Sequence, residues 1–380
     1  MSDVSSTDRH YMARAIQLAR RGTFTTSPNP NVGAVIVRHG QVLGEGWHQQ
    51  AGGPHAERWA LQAAGEAAQG ATCYVTLEPC SHQGRTGPCA DALIEAGVQR
   101  VVVAMRDPNP QVAGTGLQRL QAAGITVHQG VLEQEARALN PGFIKRMEQG
   151  LPWVRLKLAM SVDGRTAMAS GESQWITGAA AREDVQQWRA RSCVMLTGVG
   201  TVLYDNASLT VRPEQWQRHP AYPLATVRQP VRVVLDRRWR TPETANIITQ
   251  PGSCWVLGEA AHFTAAKGEA LEQAGAHWKT MSTDPMSVLA WLAEQGHNEV
   301  LLECGAELAG AFVAAGAVDE IITYMAPIFM GSSARPLLAL PGIESMAEVQ
   351  PLALTDARRF GADWRFMWRL TDERSGNDAV

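Results

Sequence analysis

The chain has 380 residues, 45% apolar and 19% charged, which is enough to fill two or three domain cores and excludes wholesale disorder. Its 34 basic and 37 acidic residues give a net charge of −3, with 13 basic and 12 acidic residues before position 150 and 21 and 25 after it. Neither half carries the basic excess of a domain built to grip nucleic acid. The start, MSDVSSTD, lacks the basic stretch and apolar core of a secretory signal. The most membrane-like window, Val300 to Val318, is interrupted by Glu303, Glu307 and several glycines, so a buried strand followed by a packed helix explains it better than a span. Six cysteines without a signal point to reduced thiols in the cytoplasm.

In chain order, Met12, Ile16 and Ala19 repeat at helical spacing and predict a helix over 8–21, ended by Gly22. TSPNPNVGAVIV (26–37) reads as a rigid turn leading into a buried strand, and a hairpin at His39-Gly40 returns over 41–47. Gly52-Gly53-Pro54 breaks the chain before an Ala-rich helix over 55–69. Strands at 71–77, 101–105 and 125–129 alternate with helices at 89–96 and 116–123, the pattern of a three-layer α/β domain with helices on both faces of a sheet. Residues 140–151 read as short and mixed, with a domain boundary near 150. The second domain is again α/β, with strands at 153–160, 194–197, 231–235 and 300–303, a helix at 179–191 and another after Gly305. The Pro-, Arg- and Gln-rich stretch 205–230 reads as a long loop. The expected division is 1–150, 151–372 and a disordered tail, 373–380.

The chemistry concentrates in HAE (55–57) and LEPCSHQGRTGPC (77–89). His55, Cys80 and Cys89 supply one imidazole and two thiolates, good ligands for Zn2+. Residues two apart in mid-helix point to nearly opposite sides. The Gly-Gly-Pro break instead puts His55 at the helix start and Glu57 in its first turn, where both can face one point. Cys89 opens a helix after Pro88, which favours its thiolate. Zinc with this set is formally neutral and keeps a fourth position for water, while Glu57, free of ligand duty, can move that water's proton. Zinc nucleobase deaminases work this way. A structural zinc site would need a fourth protein ligand, for which His48 or His82 would have to serve; otherwise His48, His82 and His128 are ordinary surface or core histidines. Cys73, Cys193, Cys254 and Cys304 read as packing.

Eight residues separate Cys80 from Cys89, unlike the compact Pro-Cys-x-x-Cys of cytidine deaminases. With the opening YMARAIQLARRGTFTTSPNPNVGAVIV (11–37), the chain resembles the bifunctional deaminase/reductase family of riboflavin biosynthesis, RibD, over nearly its whole length. The resemblance implies a cytidine-deaminase-like domain in which His55, Cys80 and Cys89 hold zinc, Glu57 moves protons, Asn29 orients the pyrimidine and Arg85 lies near the substrate. It implies a second domain like dihydrofolate reductase, matched by SVDGR (161–165), SQWITG (173–178), TVLYDNASLTVR (201–212) and the turn after Glu303. There NADPH would lie along Ala159, Trp175, Thr201, Asp205 and the turn Gly305, Ala306, Glu307, Leu308, Ala309, Gly310 and Ala311. Ser173, Arg189, Leu209, Arg212 and Glu303 would contact substrate, two arginines suiting a phosphate monoester.

The implied reactions are hydrolytic deamination of 2,5-diamino-6-(5-phosphoribosylamino)pyrimidin-4(3H)-one, then reduction of its ribosyl group to ribityl, in a homodimer formed through reductase domains. Two departures stand out. GRTGPC (84–89) has one proline where the family more often has two. Asp205-Asn206-Ala207 replaces the common Asp-Asp-Pro and is expected to loosen the loop holding Leu209 and Arg212. Two rival readings use the same residues. A nucleic-acid deaminase would add a basic groove with stacking aromatics. A structural zinc protein, or a module that senses NADPH, would tolerate Glu57→Ala.

Overall fold

The computed structural model describes residues 5–82, 87–110, 112–216 and 220–371. The chain divides into two compact units, Met1–Leu151 with Arg218–Thr226, and Pro152–Gln217 with Val227–Val380. Arg85 and the tail expected at 373–380 lie outside the described residues.

The first unit runs α1 (Ser6–Ala19), β1 (Gly33–Arg38), β2 (Gln41–Trp47), α2 (Ala56–Ala64), β3 (Thr72–Leu77), α3 (Cys89–Glu95), β4 (Arg100–Met105), α4 (Thr115–Ala122), β5 (Thr126–Gln129), α5 (Glu133–Arg137) and α6 (Pro141–Gln149). Its sheet has the order β2-β1-β3-β4-β5, with β1 antiparallel to both neighbours and β3, β4 and β5 parallel. Three consecutive valines of β4 are fully buried, as befits a central strand covered on both faces. Glycines set the distance of the covering helices. A Cβ on Gly33 would stand 2.0 Å from the Ala15 carbonyl of α1, and one on Gly46 would stand 2.3 Å from the Ala56 carbonyl of α2. Gly46 pairs with Ala34, the neighbour of Gly33, so the two glycines face opposite sides and α1 and α2 flank the sheet. This is the expected three-layer α/β arrangement.

Asp8 ties α1 to the sheet. It closes a capping box with Ser5, accepts two hydrogen bonds from Arg100 and a third from the Tyr74 hydroxyl. Asn140-Pro141, read as part of a short mixed stretch, is instead the N-cap and first residue of α6. The Asn140 side chain binds both the backbone N–H and the carbonyl of Asn31, anchoring the TSPNPN turn.

The second unit contains β6 (Trp153–Ser161), β7 (Arg165–Ala167), α7 (Ala179–Arg191), β8 (Val194–Gly198), α8 (Val199–Asp205), β9 (Val231–Leu235), α9 (Asn246–Thr249), β10 (Cys254–Gly258), α10 (Ala265–Gln273), β11 (His277–Thr280), α11 (Pro285–Glu294), β12 (Glu299–Glu303), α12 (Ala306–Ala314), β13 (Glu320–Ala326), β14 (Arg335–Pro336), β15 (Leu352–Phe360) and β16 (Asp363–Leu370). Nine strands form one sheet, β11-β10-β9-β8-β12-β6-β13-β16-β15, parallel except at the antiparallel β13-β16-β15 edge. Parallel strands bring the C-terminal ends of β6, β8, β9 and β12 to one edge, where such sheets bind ligands. Val300 to Val318 is β12 followed by α12, and no described helix is long and apolar enough to cross a membrane.

Candidate active sites

His55 is the N-cap of α2 with extended backbone, Glu57 lies in the first turn, and Cys89 is the first residue of α3. The His55 Nδ1 atom is 3.6 Å from Cys80 Sγ and 3.3 Å from Cys89 Sγ, and all three ligand atoms lie within 4.8 Å of one another. A tetrahedral zinc ion with ordinary Zn–S and Zn–N bonds requires ligand separations of about 3.5 Å, so the set fits it. It is the one cluster of this kind among the described residues. Cys80 Sγ also accepts the Cys89 backbone N–H at 3.3 Å, a contact suited to a thiolate. The Cys89 thiol holds the Cys80 pKa down, while Cys80 and burial push that of Cys89 up. A bound cation would hold both as thiolates, releasing the proton kept on Cys89.

Glu57 is 3% exposed, and burial raises its pKa to about 7. Its Oε2 has no hydrogen-bond partner among the described residues. A buried carboxylate oxygen left open beside a metal-ligand set is placed to exchange a proton with a small guest. Among the described residues no fourth protein ligand joins the triad, the three-ligand count of a catalytic zinc site.

Asn29 lies half-buried at the turn, its Nδ2 3.1 Å from His48 Nε2. His48 Nδ1 meets the Pro54 carbonyl at 3.0 Å, and burial lowers the His48 pKa, keeping the ring neutral. His48 is thus a core histidine, but one built into the site; residue type alone gave no sign of this. Asp107 was also missed. It lies two residues past β4, and burial raises its pKa to about 6, with charges on Glu78, His82 and Cys80 in reach. Its position at the C-terminal end of a parallel strand was the available signal. Glu78, next to Pro79-Cys80, accepts from the backbone N–H groups of Asp107, Gly114, Gly116 and Leu117, bracing that loop.

In the second unit a cleft of about 1180 Å³ opens at the C-terminal ends of β6, β8, β9 and β12. Ala159, Trp175, Thr201, Asp205 and Gly305 to Leu308 line it, as do Ser173, Arg189, Leu209, Arg212 and Glu303. Ala309, Gly310 and Ala311 do not. The helix expected after Gly305 is α12, with Gly305 as N-cap, and it takes up the rest of the stretch named as a turn. Ala309 is in the core, and a Cβ on Gly310 would stand 1.9 Å from the Ala339 carbonyl, so Gly310 serves packing.

The N-terminus of α12 on the cleft favours an anion. So does the lining charge: Lys157, Arg182, Arg189, Arg212, Arg240 and Arg335 against Asp205, Glu303 and Glu307. These features and the volume fit a phosphate-bearing dinucleotide beside a sugar phosphate.

The two arginines assigned to substrate differ. Arg189 is engaged, its Nε and Nη2 donating to the Glu303 carboxylate at 2.7 and 3.0 Å and Nη1 to the Thr210 carbonyl. The Arg212 guanidinium makes no hydrogen bond or ion pair among the described residues, although its charge also acts on Glu303. Lys157 Nζ, 3.8 Å from Glu303, completes a buried group that sequence reasoning missed. Burial pushes Lys157 down; burial alone would raise Glu303, but Arg189 and Lys157 hold it at about 2. Ser173 donates to Asp205 at 3.1 Å. The loop at Asn206 is not loose: Asn206 takes the left-handed C-cap of α8 (φ 44°), and its Oδ1 and carbonyl accept from Asn246.

Comparison with known proteins decides the family. The family model of the RibD C-terminal domain matches residues 152–366, and that of the cytidine and deoxycytidylate deaminase zinc-binding region matches 5–105. The riboflavin biosynthesis protein RibD of Escherichia coli K12 is 50% identical over 369 residues, covering 94% of this chain and 97% of its own. The chain belongs to the RibD family. A solved RibD of Acinetobacter baumannii is 48% identical, with a TM-score of 0.89 over 96% of this chain and 99% of its own. A Thermotoga maritima structure described as a diaminohydroxyphosphoribosylaminopyrimidine deaminase/5-amino-6-(5-phosphoribosylamino)uracil reductase is 31% identical, with a TM-score of 0.83 and coverages of 96% and 99%. As a member of this family, the protein is a bifunctional enzyme of riboflavin biosynthesis, a zinc-dependent deaminase joined to an NADPH-dependent reductase. The α/β classes expected for both halves stand.

Proposed function

We propose that the first unit deaminates 2,5-diamino-6-(5-phosphoribosylamino)pyrimidin-4(3H)-one and that the second reduces the ribosyl group of the product, giving 5-amino-6-(5-phosphoribitylamino)uracil. The observation that carries this reading is the convergence of His55, Cys80 and Cys89 beside the unpartnered, buried Glu57 oxygen. Zinc held by the three ligands supplies Lewis acidity that lowers the pKa of water. Glu57 takes a proton from the attacking water and returns it to the departing amine; the new C–O bond replaces the C–N bond and ammonia leaves. Asn29 orients the ring, and Arg85 is assigned to the substrate by family pattern alone.

In the cleft, NADPH supplies the hydride. Its phosphates are assigned to the N-terminus of α12, and Ala159, Trp175, Thr201 and Asp205 flank it. Arg212, whose guanidinium makes no hydrogen bond among the described residues, suits the substrate phosphate. Arg189 acts through Glu303, holding it ionised beside Lys157 and the sugar, with Ser173 and Leu209 completing the wall. The reading extends to a cytoplasmic homodimer through the reductase units. Exposed Leu352, Leu354 and Trp364 on the β15-β16 edge support that contact, and light scattering at known concentration tests it.

Mass spectrometry of the diaminopyrimidinone phosphate tests the chemistry. Amine-to-oxo exchange without NADPH, then gain of two hydrogens on its addition, is the expected result. No mass change with zinc-replete protein would refute it.

A further inference from the structure

The assignment of Asn29 to the pyrimidine leaves open which end of its amide the ring meets. This matters chemically, because the oxygen accepts a hydrogen bond and the nitrogen donates. Three observations bear on it.

His48 is 2% exposed, and both ring nitrogens have protein partners: Nδ1 the Pro54 carbonyl at 3.0 Å, Nε2 the Asn29 amide at 3.1 Å. A carbonyl can only accept, so Nδ1 carries the proton; the atom facing Nε2 is the Asn29 amide nitrogen, which can only donate, so Nε2 presents a lone pair. Only the amino end of Asn29 can satisfy that lone pair; with the amide turned over, Oδ1 would face it, two acceptors in contact.

His48 is itself fixed in place. Its backbone N–H donates to the Val32 carbonyl at 2.9 Å, and its ring meets the His55 ring edge-on at 5.3 Å. The Pro54 carbonyl belongs to the residue just before His55, so one imidazole links the Asn29 turn to the metal-ligand segment. Finally, no described residue donates to Asn29 Oδ1, which leaves that atom available.

We infer that His48 is a positioning residue of the deaminase site: it locks the Asn29 amide with its oxygen toward the substrate, so that Asn29 recognises an N–H donor on the pyrimidine edge. The substrate's 2-amino-4-oxo pattern has such donors at the ring N–H beside the reacting carbon and at the departing amine on that carbon. The inference rests on the proposed role of Asn29 and deepens it.

Two isosteric variants separate this role from a packing role. In His48→Gln the side-chain oxygen can stand near the Nε2 position and accept from Asn29. In His48→Asn the shorter amide reaches only the Nδ1 position. Each is measured in the full chain for zinc content, for deamination without NADPH, and for NADPH-dependent reduction of the deaminated intermediate.

His48→Gln is expected within about 3-fold of the parent in deamination kcat/KM, and His48→Asn about 10- to 100-fold lower, the scale of one lost buried hydrogen bond. Zinc content and reduction should not change in either. Asn29→Ala should fall at least as far, and the double variant Asn29→Ala/His48→Asn no further. Equal activity of the two His48 variants, additive losses in the double variant, or loss of zinc or reduction with His48→Asn would overturn the inference. Full deamination by Asn29→Ala would instead refute the role of Asn29, and the inference with it.

Discussion

The two candidate sites of this chain are built in opposite ways. The metal set is compact in space and special in chemistry: three ligand atoms within 4.8 Å, from two helix starts and one loop. The reductase cleft is spread over the ends of four strands and made largely of backbone, shape and common charged residues. Its central ion pair joins Arg189 to Glu303, 114 residues away. A site defined by scarce residue types is marked in the sequence, whereas one defined by tertiary pairing is not.

The sharpest way to break the contrast is Cys89→Ser. It should abolish zinc binding, read by metal analysis, and deamination with it, while leaving NADPH-dependent reduction of the deaminated intermediate near the parent rate. Glu57→Gln should keep zinc yet lower deamination kcat by about 10²- to 10⁴-fold, the range of general acid–base contributions. If zinc departs too, Glu57 holds the shell together instead.

On the reductase side, Arg189→Lys keeps the charge but not the forked contact with Glu303. A drop of about 10-fold in reduction kcat/KM is expected, with deamination unchanged.

Acid should also destabilise the second unit, at both ends of β12. Burial would raise Glu299, but Arg155 and Arg191 hold it at about 2, as Arg189 and Lys157 do Glu303. Folded-state values below the ordinary carboxylate range mean that these groups stabilise fully above about pH 5, and that this contribution is lost as pH falls toward 2. Thermal melting of the second unit should therefore fall over that window, and Glu299→Gln should flatten the dependence while lowering stability at pH 7.

The smallest effect belongs to Asn206→Ala, which removes one hydrogen bond to Asn246 and places a methyl side chain at positive φ; about 1–2 kcal/mol of stability is the expected loss.

The sequence made much of the first unit legible. The Gly-Gly-Pro break placed His55 at a helix N-cap and Glu57 in the first turn, and a run of three valines marked β4. Asn140-Pro141 was misjudged because a proline that ends one element also begins the next. His48 stayed hidden because its partners are a side chain 19 residues before it and a carbonyl 6 after it, contacts that only the folded turn creates.

In the second unit β10, β11, β13, β15 and β16 went unread, being short, polar at the edges or without period-2 contrast. The cationic lining of the cleft was masked by a net charge near zero, since balance over a chain says nothing about one face. Ala207 looked like the loss of a stiffening proline; only the left-handed backbone of Asn206 and its two bonds to Asn246 show how the loop is held.

The most direct test of two separate chemistries is to strip zinc with a chelator and follow both steps in the same sample. Deamination of the diaminopyrimidinone phosphate should stop, while NADPH oxidation with the deaminated intermediate continues at its original rate, and added zinc should restore the first step alone. Loss of both steps, or continued deamination by metal-free protein, would contradict the account.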